Sequence, residues 1–306
     1  MARELPGLKR HRLPAAPLVT AAAALLVAWA PAVCSARDRH VLWTVAGEHN
    51  TVYLLGSIHV LRAEDGGLPQ VAEDAYRDAE RLVMEIDLDD ELAGDPAALA
   101  ATMQRMAMLP TGQSLHTVLG PDYAAVKEHA QKAGLDLAIL DPFAPWFVAT
   151  VLLQVELAKR GFAPELGVEQ TIATRAAADG KPIQGLETAE QQFAMLAGLP
   201  MPQQKRFLLM TLEESDDLDA EIRELLSAWR SGDTARLAKV LGDDFDEFPE
   251  LYRPLTEDRN RAWVHEIVDL LDDQDDYLVV VGALHLVGRN SVVDLLQQRG
   301  YRVTQQ

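Results

Sequence analysis

Short apolar runs rich in β-branched residues alternate with longer stretches of helical spacing along most of this chain. The runs predict strands, and the stretches between them predict helices that cover a sheet. The predicted strands are residues 40–46, 51–57, 81–87, 137–141, 182–187, 277–282 and 301–305. Such alternation is typical of an α/β fold with a mostly parallel sheet flanked by helices. The first two strands are predicted to form a hairpin at one edge of that sheet.

The region from residue 191 to residue 273 departs from this alternation, since its pattern is almost wholly helical. It predicts a helical insertion or cap between the last strands, within one domain that spans residues 37–306. The 306 residues, 48% hydrophobic and 25% charged, are enough to bury the core of such a domain.

Residues 1–36 have the layout of a secretory signal peptide rather than of a folded element. Four basic residues precede an apolar run, and small residues follow it up to Ala36, the predicted cleavage position. An uncleaved N-terminal anchor is the alternative. Cleavage would remove Cys34, the only cysteine, so a metal site in the remaining chain would depend on His, Asp or Glu. The signal predicts export to the periplasm or the cell surface.

The chain is strongly acidic, with a net charge of -19 from 47 acidic and 28 basic residues. This balance argues against nonspecific binding to nucleic acid and to anionic membranes, because both are polyanions. Membrane contact is expected only through the N-terminal signal segment. Metal cations and basic peptides are compatible with this surface.

Two predicted strands end in the same motif, Gly-x-x-His. "VYLLGSIHV" places Gly56 before His59, and "YLVVVGALHLVG" places Gly282 before His285. A glycine lets the chain turn sharply or pass close to another backbone where a strand ends. We therefore expect both histidines to face the functional crevice that lies at the carboxyl ends of strands in open α/β sheets.

Carboxylates also follow the predicted strands. They are Glu85, Asp87, Asp141 and Glu187. Two neutral histidines with one or two carboxylates are a workable ligand set for zinc, manganese or cobalt. Each residue also has a simpler explanation, since a single histidine after a strand is more often a loop hydrogen-bonding group. Glu187 could merely cap the next helix, and the default for Arg259, on a helical pattern, is a solvated charge.

Several segments, taken in order from residue 41 to residue 303, resemble the TraB/GumN family. They include "VYLLGSIHVL", "RLVMEID", "GVEQTIATRAAADGKPIQGLETAEQQ", "EDRNRAW" and "YLVVVGALHLVGRN". That family includes bacterial pheromone-shutdown proteins and the animal TIKI proteins. The resemblance implies an α/β fold with an approximate repeat of Gly-x-x-His halves, related to erythromycin-esterase-like and heme-binding ChaN-like domains. It also implies metal-dependent peptidase activity.

By the same resemblance, His59 and His285 are the paired histidines, Glu85 is their acidic partner and Arg259 is the family's arginine. One position departs from the family pattern: Glu169 stands where the family often has aspartate, and we assign it no role from the sequence.

The favoured hypothesis is an exported metal-dependent hydrolase that cleaves peptide or protein substrates. His59, His285 and Glu85 would hold the metal, and Glu85 or Glu187 would act as general base. Arg259 would stabilise an oxyanion or anchor a substrate carboxylate. The alternatives are a metal-free, esterase-like hydrolase in which His59 pairs with Glu85, and a binding protein that holds a peptide or heme without turnover.

Overall fold

The computed structural model describes residues 39–87, 95–213, 218–246 and 249–306. The predicted signal peptide, residues 1–36, lies outside these ranges and stays a prediction. The described strands form one six-stranded mixed sheet in the order β4-β3-β5-β2-β1-β6. Their bounds are β1 Leu42–Ala46, β2 Thr51–Ser57, β3 Arg81–Met84, β4 Ile183–Gly185, β5 Tyr277–Gly282 and β6 Val303–Gln305.

Four neighbouring strands, β4, β3, β5 and β2, are parallel, whereas β1 pairs antiparallel with both β2 and β6. The predicted α/β class with a mostly parallel sheet is therefore confirmed. The β1–β2 hairpin is present, but β6 lies outside it, so the hairpin is not the edge of the sheet. Every residue of β5 is buried, as a central strand between two parallel neighbours requires.

Helices connect the strands and cover the sheet. They are α1 Gln70–Asp78, α2 Pro96–Ala107, α3 Leu115–Leu119, α4 Tyr123–Lys132, α5 Pro145–Lys159, α6 Val168–Asp179, α7 Ala189–Ala197, α8 Met201–Glu213, α9 Leu218–Arg230, α10 Thr234–Asp246, α11 Pro249–Tyr252, α12 Asp258–Leu270 and α13 Val292–Gln298. A π-helical turn, Arg253–Glu257, joins α11 to α12. None of the helices in the described ranges is long and apolar enough to span a membrane.

One predicted strand is wrong. The run at residues 137–141 forms a 3-10 helical turn, Leu137–Leu140, because Asp136 caps it by accepting from the N–H of Ala138. Leu137 and Leu140 are buried whereas Ile139 is 72% exposed, and this spacing of three residues suits a helical turn. Asp141 is therefore not at a strand end; its carboxylate accepts from a backbone N–H at the start of α3.

The largest cluster of buried side chains joins both faces of the strands to the helices that pack on them. Trp263 of α12 and Tyr76 of α1 are among the largest fully buried side chains in it. Between β4 and β5 the described residues are mostly helical, from α7 to α12. The role of this segment as an insertion or cap stays a prediction. What matters for the site is that α12 packs close to the end of β5.

Candidate active site

The carboxyl ends of four neighbouring strands form the candidate site. Ser57 of β2 pairs with Gly282 of β5, so the two Gly-x-x-His motifs lie side by side. On the other side of β5, Met84 of β3 pairs with Val280, and Gly185 of β4 pairs with Met84. The residues that follow these strands leave the sheet at one edge, where polar side chains meet.

The two motif glycines serve different purposes. A Cβ at Gly56 would lie 2.4 Å from Cγ1 of Val41, so this glycine lets β2 pass close to its neighbours. A Cβ at Gly282 would lie 3.4 Å from Nε2 of His59 and 3.3 Å from Oε1 of Glu85. Gly282 thus keeps open a small space that polar side chains share.

His59 lies in the loop after β2, and its side chain is 69% exposed. Its Nδ1 is 2.5 Å from Oε1 of Glu169, and the Ser57 hydroxyl donates to the same oxygen at 2.5 Å. Desolvation alone would lower the pKa of His59, but the hydrogen bond and the charge of Glu169 raise it to about 9. His59 is therefore an imidazolium at neutral pH, where the sequence led us to expect a neutral ring.

A close contact between α6 and the loop after β2 places Glu169 beside His59. The N–H of Val168 donates to the carbonyl of Ile58 at 3.1 Å. A Cβ on Gly167 would lie 2.1 Å from the carbonyl oxygen of His59, so only glycine permits this approach. Glu169 lies in the first turn of α6, where the helix dipole stabilises a carboxylate.

His285 is buried, at 5% exposure, in the 3-10 turn after β5. Its Nδ1 is 2.7 Å from Oδ1 of Asn260, and the Asn260 amide group donates to the carbonyl of Asn290 at 2.9 Å. Because that amide nitrogen must donate, Oδ1 accepts, and the proton of His285 lies on Nδ1. Burial lowers the pKa of His285 to about 3, so this ring is neutral with the Nε2 lone pair directed away from Asn260.

Arg259 joins the two carboxylates of the site. Its Nη2 donates to Oε2 of Glu85 and to Oε1 of Glu187, at 2.5 Å each, and its Nε donates to Oε2 of Glu187 at 3.1 Å. Its Nη1 donates to the carbonyl of Leu255, in the π-helical turn, at 3.2 Å and lies 3.1 Å from Nε2 of His285. The guanidinium therefore contacts three of the predicted site residues at once.

The two carboxylates differ in their affinity for protons. Gln192 donates to both of them, to Glu85 at 3.3 Å and to Glu187 at 3.1 Å. Burial acts to raise the pKa of Glu85, but the basic side chains around it and the N–H of Gly282, at 2.8 Å, lower it to about 2. Burial raises the pKa of Glu187 despite the adjacent Arg259. Glu187 is thus the carboxylate that gains a proton more easily.

All five residues predicted from the sequence meet at this edge of the sheet. They are His59, Glu85, Glu187, Arg259 and His285. The side chain of Arg259 is 13% exposed, so it is not a solvated helix charge. Thr188, not Glu187, caps α7, since its hydroxyl accepts from the N–H of Gln191. The catalytic and metal-binding roles of the five residues stay predictions.

Other polar residues of the site were not predicted as site residues from the sequence, although Glu169 was noted there without a role. They are Ser57, Glu169, Gln192 and Asn260. Ser57 was predictable as a site residue, because a buried hydroxyl at the end of an apolar strand needs a hydrogen-bond partner. The other Gly-x-x-His motif has Ala283 at the equivalent position. Asn260 is fully buried on the helix that carries Arg259.

The donor chemistry of the site fits a divalent metal. Each histidine has its Nδ1 against an oxygen acceptor, which is the usual way in which a ligating imidazole is oriented. Nε2 of His59, Oε1 of Glu85 and Cδ2 of His285 all lie within 3.6 Å of the point that a Gly282 Cβ would occupy. Within the described ranges, however, no three His, Cys, Asp or Glu side chains are grouped closely enough to hold a metal ion as they stand.

Proteins similar to this chain include bacterial and animal examples. The protein YbaP of Escherichia coli (strain K12) is 26% identical over 269 residues, which cover 85% of this chain and 95% of YbaP. The metalloprotease TIKI2 of Xenopus tropicalis is 26% identical over 320 residues, and the metalloprotease TIKI1 of Danio rerio is 25% identical over 320 residues. The chain covers 59% and 62% of these two animal proteins.

No solved structure matches this chain. The expected relation to erythromycin-esterase-like and ChaN-like domains, and the expected repeat of two halves, therefore stay predictions. The model of the TraB/PrgY/gumN family matches residues 41–305, from the residue before β1 to the last residue of β6. That range contains both Gly-x-x-His motifs and every side chain of the site. The chain belongs to the TraB/PrgY/gumN family.

Proposed function

We propose that this protein is a metal-dependent peptidase. The observation that carries the proposal is that two histidines and Glu85, from three neighbouring strand ends, border the small space above Gly282. Each histidine is held through its Nδ1 by an oxygen acceptor. Animal relatives are named metalloproteases, and this name agrees with such a donor set.

His59, His285 and Glu85 would hold the cation, and manganese, cobalt and zinc all suit two imidazoles and a carboxylate. A bound cation would polarise a peptide carbonyl and make a water molecule more acidic. Asn260 holds the proton of His285 on Nδ1, so Nε2 is unprotonated, and a ligand bound there would take the place of Nη1 of Arg259. Glu169 likewise holds the proton of His59 on Nδ1 once that ring has lost the proton on Nε2.

Proton transfer falls to Glu187. Its pKa is raised by burial, which makes it a better base than Glu85 and lets it carry a proton for donation at a pH at which Glu85 is ionised. Arg259 holds Glu187 by two hydrogen bonds and keeps a positive charge at the site. That charge would stabilise an oxyanion formed from the peptide carbonyl.

The test combines metal analysis with peptide cleavage. Purified protein is loaded with manganese, cobalt or zinc, and metal content is measured beside cleavage of a mixed peptide library by mass spectrometry. His59→Gln is the informative variant, because this exposed side chain can be changed without disturbing the core. His49→Gln, at an exposed histidine in the β1–β2 turn, is the matched control. Equal metal content and equal cleavage in both variants would refute the proposal.

A second candidate is a metal-free hydrolase. It is favoured by the contacts that join Ser57, Glu169 and His59, because a histidine oriented by a carboxylate is typical of acid–base catalysis. His59 would act as the base once its imidazolium has lost a proton. In this candidate, Glu169 rather than Glu85 is the carboxylate that pairs with His59, whereas the sequence led us to expect a His59–Glu85 pair. Cleavage that survives exhaustive chelation would favour this candidate. Peptides or heme that bind but are recovered unchanged would instead indicate a binding protein.

We further propose that the protein acts after export, in the periplasm or at the cell surface. The support is the sequence layout of residues 1–36. N-terminal sequencing of the protein recovered from cell fractions tests this. A mature chain that begins at Arg37 in an exported fraction is expected, and an intact N-terminus confined to the cytoplasm would contradict the proposal.

A further inference from the structure

A cavity of about 220 Å³ opens directly beside the reactive groups. His59, Glu85 and Glu169 are among the residues that line it. A substrate bond held over the space above Gly282 would therefore lie beside this cavity. The neighbouring part of the substrate must enter it or pass across it.

Several of the side chains that form the wall of the cavity are apolar. Met84, at the end of β3, is buried, and it is joined by Ile86, Ile183 of β4 and Ala173 of α6. None of these side chains can transfer a proton or bind a metal strongly. Acid–base chemistry at Glu85 and Glu187 does not need an apolar wall. Such a wall matches a part of the substrate that is removed from water on binding.

The volume indicates how large that part is. A cavity of about 150 Å³ is large enough to hold benzene, so 220 Å³ accommodates a leucine, methionine or phenylalanine side chain. Sites for whole drug-sized ligands are larger, roughly 300–1,000 Å³. The cavity is therefore matched to one side chain of a substrate.

We propose that this cavity is the subsite for one apolar side chain of the peptide, at a residue that flanks the cleaved bond. The inference rests on the proposed peptidase function and names its substrate class: peptides with leucine, methionine or phenylalanine beside the scissile bond. A single methylene in a hydrophobic pocket changes kcat/KM by roughly 10–200-fold. Leucine is therefore expected to be preferred over alanine at this position by at least about 10-fold.

The first test uses two matched substitutions on α6. Ala173→Leu places three extra carbons in the cavity, whereas Ala178→Leu adds them to an exposed position of the same helix. Alanine and leucine both favour a helix. In the peptide library, wild type and Ala178→Leu are expected to cut beside leucine, methionine or phenylalanine. Ala173→Leu is expected to lose that preference by about 10-fold and to cut beside alanine and glycine instead. Unchanged specificity in Ala173→Leu would overturn the subsite.

A widened cavity gives the opposite shift. Ile183→Ala removes three carbons from the wall on β4, and its preference is expected to move from leucine towards phenylalanine and tryptophan. The same preference in Ile183→Ala as in wild type would also contradict the proposal.

A binding measurement separates the subsite from the proposed function. N-acetyl-leucinamide and N-acetyl-glycinamide are titrated into the full chain and followed by NMR. The leucine probe is expected to bind at least about 10-fold more tightly and to lose this advantage in Ala173→Leu but not in Ala178→Leu. If wild type cleaves no peptide yet shows this pattern, the peptidase function fails and the apolar subsite stands. Equal binding of the two probes would overturn the subsite.

Discussion

Removing the charge of Arg259 should destabilise the protein far more than removing any exposed arginine charge. Arg259 holds Glu85 and Glu187 together, and the side chains of all three residues are 11–13% exposed. Arg259→Met keeps much of the apolar stem but removes the guanidinium, whose central carbon lies 4.5 Å from the centre of the Trp263 ring. It leaves two buried carboxylates without their cation. Gln192 would remain as their only shared donor among the contacts described.

The expected loss in the free energy of unfolding is the balance of two opposing effects. Two opposite charges about 4 Å apart attract by about 4 kcal/mol at an effective dielectric constant of 20, and Arg259 makes two such pairs. The desolvation of the guanidinium, which the variant no longer requires, offsets several kcal/mol of this attraction. Removing one partner from a buried ion pair costs about 3–5 kcal/mol in other proteins. We expect a loss in that range for Arg259→Met.

Arg261→Met is the matched control, since Arg261 lies two residues away on α12. Its side chain is 45% exposed and pairs with Glu257 and Asp258 at the surface. Exposed pairs contribute about 0–1 kcal/mol. The assay is urea unfolding of the full chain at pH 7, with the free energy of unfolding compared among wild type and both variants.

Measuring the free energy of unfolding at a second pH makes this test more specific. In Arg259→Met, an unpaired carboxylate has a higher pKa in the folded state than in the unfolded state. The folded variant then binds more protons, so acidification favours it relative to wild type. The difference between wild type and Arg259→Met should therefore shrink between pH 7 and pH 5. A cost no larger than that of Arg261→Met, or a difference independent of pH, would refute the reasoning.

Three further outcomes are expected. Glu169→Gln removes the charge that raises the pKa of His59. In an NMR titration, the pKa of His59 should therefore fall from about 9 towards the ordinary value near 6.5. A pKa of His59 that stays near 9 would exclude Glu169 as the cause. Gly56→Ala should destabilise the fold by about 1–3 kcal/mol in urea unfolding, because its Cβ would lie 2.4 Å from Val41; an unaltered midpoint would contradict the close packing. The folded-state pKa of His285 is about 3, below its ordinary value near 6.5, so only the unfolded state binds this proton between those values. Stability should therefore fall by up to about 4 kcal/mol as pH decreases from 6.5 towards 3, and constant stability over pH 7 to 4 would refute a buried neutral ring.

The strands that carry the motifs were predictable because local signals agreed there. Residues 51–57 and 277–282 are apolar and β-branched runs bounded by turn residues, and both strands have these bounds in the structure. Residues 137–141 were not predictable in this way, since a run of four apolar residues satisfies both the strand period and the helical period. The capping side chain of Asp136 decides in favour of the turn.

Contacts between distant parts of the chain were harder to predict from the sequence. The sequence led to the histidines and to Glu85 through their positions at strand ends, but it could not reveal that His59 contacts Glu169. That contact depends on how closely α6 approaches the loop after β2, which Gly167 permits. The position of β6 outside the hairpin likewise depends on tertiary pairing and leaves no local signal.

The central position of β5 determines when, during synthesis of the chain, the sheet and the candidate site can form. Strands β1 and β2 can pair with each other, and so can β3 and β4, but among the strands that the structure describes only β5 joins the two pairs. A nascent chain that ends at Asp276 lacks that strand, together with Gly282 and His285. Pairing between segments so far apart in sequence is also slow. A peptidase built in this way would be inert throughout its synthesis and would acquire activity only when its final strands enter the sheet.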